Sequence, residues 1–138
     1  MTDLEQAVIQ LGERSVCLCK EGICTLFDGR GISPLIEIIE GGTDFSGYSA
    51  ADIIVGKAAA MLFVKMGVTA VHGRVMSEAA RQFLRMKSIP FSFDTLTEKI
   101  INRQGNDICP MEKTVSDIDD VETAYTALKN KLAELKGK

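Results

Sequence analysis

Lys57 stands in the run AADIIVGKAAAMLFVKM, residues 50–66, with apolar neighbours on both sides. An ammonium desolvated there has a lowered pKa and can act as a nucleophile or a base. Kept charged, it can hold a phosphate or a carboxylate. The plainer alternative is a stem that packs and a head that snorkels to water. Cys109 precedes Pro110 in the run CPMEK. With Pro110 as first helical residue, Cys109 is an N-cap, and the free N–H groups and dipole of the helix stabilise its thiolate. Glu112, three residues on, can complete a capping box instead, and its charge opposes thiolate formation. His72 is the one histidine, which is thin support for a Cys–His pair; within an apolar strand it reads as a packed, hydrogen-bonded side chain. Arg30 lies between glycines, and Asn102 and Arg103 open the polar stretch NRQGND. Glycine lets backbone N–H groups approach a ligand and arginine offers a bidentate fork, so both loops suit an anion as well as an ordinary surface turn. Cys17, Cys19 and Cys24 offer three soft ligands, but the Cys-x-Cys spacing is tighter than paired zinc cysteines use. Cysteine is also among the most buried residue types, so core thiols are the expectation and no metal is assigned.

The elements that must position these side chains follow from the apolar pattern. Thr2 and Glu5 form a capping box ahead of a short amphipathic helix that ends at Gly12. Ser15 to Asp28 reads as a β-hairpin turning at Glu21-Gly22. Its register sets Lys20 opposite Ile23 and Cys19 opposite Cys24, with Cys17 on the same face. Ser33 caps a second helix that has Pro34 in its first position and ends at Gly41-Gly42. Residues 50–66 read as one central helix, capped by Ser49, with Asp52 in its first turn and Gly67 as its stop. Val68 to Val75 reads as a buried strand, Ser77 caps the next helix, and Ile89 to Phe93 reads as a further strand. Strand, helix, strand implies a right-handed crossover and a parallel pair, so the sheet is mixed. Leu96 to Ile101 is ambiguous between helix and strand. Pro110 opens a short helix, and a last helix starts near Asp119 with Glu122 completing a capping box.

The chain has 138 residues, 46% of them apolar, which suits one domain with a single core. The net charge is −3 with both signs interspersed, so nothing resembles the basic stripe of a nucleic-acid binder. An acidic start without an apolar run argues against a signal peptide, and the central apolar segment is too short for a membrane span. A cytoplasmic protein with mostly reduced cysteines is expected.

The order of hairpin, buried helix, strand, helix and strand resembles the cytidine-deaminase-like fold. Three stretches, DGRGISPLIEIIE, ADIIVGKAAAMLF and INRQGNDICPMEK, look more closely like an uncharacterised prokaryotic domain-of-unknown-function family of small deaminase-like domains. The resemblance runs from Ser15 to Glu134. It implies an α/β three-layer sandwich, a mixed β-sheet flanked by helices, with a site where two helix N-termini meet the sheet. Zinc deaminases carry H-x-E on one helix and P-C-x-x-C on the next. Here Val55-Gly56-Lys57 and Val75-Met76-Ser77 stand at those places, with neither a ligand nor a proton-shuttling carboxylate. Zinc-dependent deamination is therefore not expected, and no cofactor is expected.

The reading that results is a single domain, residues 1–138, that binds a small anionic or nucleotide-like ligand beside Lys57, Cys109 and Arg30, with Asn102, Arg103 and Glu112 as further binding candidates. One alternative is a metal-independent enzyme using Lys57 or Cys109 on a nucleoside-like or carbonyl substrate. Another is an interaction domain, such as a homodimer through exposed helices.

Overall fold

The computed structural model describes residues 1–137; residue 138, the last of the expected domain, lies outside the described residues. The N-terminal capping box is present. The Glu5 N–H donates to Thr2 Oγ1 at 3.0 Å and the Thr2 N–H to Glu5 Oε1 at 3.1 Å, opening α1 (Asp3–Leu11). The hairpin follows as β1 (Val16–Lys20) and β2 (Ile23–Phe27), in the expected register. Glu21 and Gly22 have φ of 51° and 83°, the two positive values that a tight two-residue hairpin turn demands. In α2 (Ser33–Gly41) the expected cap is displaced by one residue. Ile32 is the N-cap, Ser33 is already helical, and Pro34 lies within the first turn.

The segment expected to be one central helix is two elements. Residues Ser49–Val55 form β3, Gly56 is the break, and Lys57–Lys65 form α3. A strand covered on both faces is apolar at nearly every position, as a buried helix is, so hydrophobicity cannot separate them. The β-branched trio Ile53-Ile54-Val55 followed by glycine and then three alanines is where propensity changes sign. Ser49 and Asp52 consequently belong to a strand and cap nothing. Asp52 lies opposite Val16 of β1 and Gly73 of the next strand, almost fully buried.

Beyond α3 come β4 (Ala70–Ser77), α4 (Glu78–Met86), β5 (Phe91–Thr97), α5 (Pro110–Val115) and α6 (Val121–Lys136). The ambiguous residues 96–101 divide: Leu96 and Thr97 finish β5, while Ile101 pairs with Ile108 across the polar turn. Asp120, rather than Asp119, caps α6, accepting from the Thr123 N–H at 2.8 Å. The expected Glu122 capping box gives way to a pairing of that carboxylate with Lys65 Nζ at 2.6 Å.

The five strands form one mixed sheet in the order β2-β1-β3-β4-β5, antiparallel through β2-β1-β3 and parallel through β3-β4-β5. One face carries Val16, Leu18, Ala50 and Val71 into the main core, where α3 contributes Met61, Leu62 and Phe63 and α6 contributes Leu128. The other face carries Cys17, Cys19 and Ala51 under Ala7 and Leu11 of α1. The result is an α/β fold of helix, sheet and helix layers. Cys19 and Cys24 are joined as a disulfide, with Cα atoms 4.1 Å apart, where free core thiols were expected. Among the described residues no helix is long and apolar enough to cross a membrane.

Candidate functional site

The register that pairs Val55 with Met76 sets the starts of α3 and α4 side by side at the carboxyl ends of two parallel strands. In open parallel sheets this is the edge where ligands are received. Each start must satisfy its free N–H groups, and the two do so differently. At α4, Ser77 caps locally, its Oγ accepting from the Ala80 N–H at 3.1 Å. At α3, Gly56 has no side chain to offer. The acceptor comes instead from α5: Glu112 Oε1 takes the Lys57 N–H at 2.8 Å and Oε2 takes the Ala58 N–H at 2.9 Å. A Cβ on Gly56 would overlap this carboxyl group, so glycine here makes room for a partner that is 55 residues beyond Lys57 along the chain. Burial pushes the Glu112 carboxyl up, opposed by the two N–H bonds and the nearby Lys57 charge.

The Lys57 ammonium reaches the far side of the same region. Nζ lies 3.2 Å from Asp119 Oδ1 and donates to the Ser116 carbonyl at 3.4 Å, with its side chain only 12% exposed. Lys57, Glu112, Ser77 and Asp119 form the polar wall of a cleft of about 370 Å³. Phe83 and Met86 of α4, with Ile100 and Ile108 of the paired turn, form its apolar wall, and Glu98 and Lys99 also line it. The cleft therefore holds three carboxyl groups and two ammonium groups.

Of the residues singled out from sequence, the structure brings Lys57 and Glu112 together. Glu112 completes no capping box in its own helix, because its carboxylate is engaged by α3. Cys109 is the N-cap residue of α5, but its thiol makes no capping hydrogen bond. It is half-buried against the main core and does not line the cleft. Arg30 is exposed in the loop before α2, where its carbonyl accepts from the Ser33 N–H. Asn102 folds its own turn, Oδ1 accepting from the N–H groups of Gly105 at 2.9 Å and Asn106 at 3.2 Å, and Arg103 stands exposed beside it. None of Arg30, Asn102 and Arg103 lines the cleft. His72 is packed as expected, Nδ1 lying 2.7 Å from Ser92 Oγ. Its buried Nε2 faces Asp94 Oδ1 at 3.5 Å.

Sequence reasoning missed Ser116 and Asp119 as companions of Lys57, and Phe83, Met86, Ile100 and Ile108 as a wall. From sequence Asp119 is only a helix start, while Ser77 is a helix cap at the place of the second zinc-deaminase motif. The signal available was topological, since helix starts following adjacent parallel strands must converge.

A family model described as a domain of unknown function, DUF1893, matches residues 5–132. Among solved structures, the chain is similar to the crystal structure of a DUF1893 family protein (TM1506) from Thermotoga maritima. That similarity has a TM-score of 0.84 at 25% sequence identity, and covers 95% of this chain and 91% of that chain. No curated protein sequence matches. The chain belongs to the DUF1893 family of domains of unknown function.

Proposed function

We propose that this chain is a cytidine-deaminase-like domain that binds a small nucleoside- or nucleotide-like ligand without zinc. The observation that carries the reading is the two-walled cleft at the paired starts of α3 and α4. Its volume falls at the small end of the range of ligand pockets, roughly 300–1,000 Å³. An aromatic base fits the apolar wall of Phe83, Met86, Ile100 and Ile108. A phosphate or other anionic end fits beside Lys57 and Lys99, taking Lys57 over from Asp119.

The deaminase likeness draws support from the strand order and from the placement of Val55-Gly56-Lys57 at the β3–α3 junction and Val75-Met76-Ser77 at the β4–α4 junction. The residues there do not fit a zinc ion. Neither histidine nor cysteine lines the cleft among the described residues, and the Glu112 oxygens are engaged by backbone N–H groups. The lysine at the head of α3 offers a positive charge where a metal site would need a donor.

A thermal-shift series with nucleosides and nucleotides tests the reading. At a hundredfold excess over Kd, a bound ligand stabilises by about 2.7 kcal/mol. A rise in Tm with a nucleotide that Lys57→Ala abolishes is the expected result. No rise with any nucleoside or nucleotide refutes the proposal.

A further inference from the structure

The opposite face of the sheet carries a second concentration of chemistry. Cys17 and Cys19 are two residues apart on β1 and point to the α1 side, and Cys24 on β2 lies directly across from Cys19. The three sulfur atoms all lie within 4.8 Å of one another, and Cys17 Sγ is 3.5 Å from Cys19 Sγ. Cys19 and Cys24 share a disulfide, while Cys17 is a free, fully buried thiol. The wall around them is Ala7 and Leu11 of α1 and Ala51 of β3, with Val8, Leu26 and Ile53 packed alongside.

We propose that reducing the Cys19–Cys24 disulfide turns this cluster into a three-sulfur binding site for copper(I). The reductant is a dithiol. It delivers two electrons and two protons to the Cys19–Cys24 bond, which becomes two thiols, and leaves as its own cyclic disulfide. Copper(I) then forms three metal–sulfur bonds, and the three thiol protons pass to solvent. No change in the oxidation state of the metal is involved.

Geometry and chemistry both favour this ion. At a metal–sulfur bond of roughly 2.3 Å, sulfurs at the corners of a triangle around the metal stand about 4 Å apart. The Cys17–Cys19 sulfur separation of 3.5 Å and the 4.8 Å limit on all three pairs suit such a triangle once reduction frees the bonded Cys19 and Cys24 sulfurs to move apart by side-chain rotation. β1 is held on both sides, by β2 and β3, which keeps Cys17 and Cys19 on one face. The surrounding wall is hydrocarbon and supplies no fourth donor among the described residues. Structural zinc sites take four protein ligands, whereas three thiolates in a dry pocket with no fourth donor suit a soft, three-coordinate copper(I). Cys24, half-buried on the edge strand, gives the ion its way in.

The test uses the whole chain, prepared anaerobically in reduced and in disulfide form. Copper(I) is delivered as its complex with a colorimetric copper(I) chelator, and bound copper is counted per chain. The reduced protein is expected to withdraw one copper(I) from the chelator and to show sulfur-to-copper charge-transfer absorption in the ultraviolet. The disulfide form, with the same sequence and fold, is expected to withdraw none. Cys17→Ser and Cys24→Ser should each weaken binding at least tenfold, and Cys109→Ser should leave it unchanged. The comparison of the two redox forms stands even if a serine variant fails to fold. Failure of the reduced protein to take copper(I), equal uptake by both forms, or uptake that depends on Cys109 overturns the proposal.

Discussion

Asp52 is the carboxyl group that the fold makes hardest to ionise. It sits in the middle of β3, between Val16 and Gly73 of the flanking strands, and is 6% exposed. Burial pushes its pKa from 3.8 up to about 7, against the pull of the Ile53 and Ile54 N–H groups that its oxygens accept. The sign of the linkage follows. Between about pH 4 and about pH 7 the folded protein keeps a proton that the unfolded chain has released. Stability therefore falls as pH rises through that window and levels off above it. At 1.36 kcal/mol per pH unit, the full loss is on the order of 4 kcal/mol, an upper figure. An asparagine side chain at this position keeps an oxygen for the two N–H groups and cannot ionise. Asp52→Asn should therefore match the wild type near pH 4 and exceed it near pH 8 by up to that amount. Urea denaturation of both proteins, in matched redox state from about pH 4 to pH 9, gives the difference curve, in which contributions from Glu112 and other groups cancel. A difference that does not change with pH would refute the burial argument.

Removing the shared carboxyl with Glu112→Ala leaves the Lys57 and Ala58 N–H groups without their acceptor and should cost about 1–3 kcal/mol in chemical denaturation. Gly56→Ala should lose the same interaction by expelling that carboxyl, so the double variant should cost clearly less than the sum of the two singles in a mutant cycle. Ser77→Ala removes the cap of α4 and should cost about 1 kcal/mol. Leu128→Ala opens a hole where α6 meets the main core and should cost about 2–5 kcal/mol, read by the same denaturation.

Local rules carried the reading furthest where partners are near in sequence. The Thr2–Glu5 box, the Glu21-Gly22 turn, the Cys19–Cys24 register, the Ser77 cap and the start of α5 at Pro110 each involve residues within five positions of one another. Residues 50–66 failed because burial on both faces erases the period that separates strand from helix. That single error moved Asp52 from a favourable helix start to the interior of a sheet. The Lys57 site was legible as a position but not as a constellation. Its companions Glu112, Ser116 and Asp119 come from the far end of the chain, and only the packing of α5 and α6 over α3 brings them to it. Cys109 was the opposite case. Its sequence context is right for a reactive cap, yet it packs half-buried against the apolar main core and makes no capping hydrogen bond.

The treatment of the α3 start bears on what the cleft can accept. A helix N-terminus with two free N–H groups attracts any anion that can reach it. Here Glu112 already fills that role, and Lys57 beside it is turned toward Asp119. A ligand phosphate at this edge must therefore compete with two carboxylates of the protein's own, in a cleft that also holds Glu98. Binding should weaken as those carboxylates ionise and strengthen as they are protonated. Burial already pushes the Glu112 carboxyl up, toward its protonated form. Nucleotide affinity measured by titration calorimetry should accordingly rise more on acidification in the wild type than in Glu112→Gln, where the ligand phosphate still titrates but position 112 does not. Glu112→Gln, which removes the charge and keeps one acceptor, should bind nucleotide more tightly than the wild type at neutral pH. Weaker binding by Glu112→Gln at an unchanged fold would mean that the carboxylate holds the ligand rather than competing with it.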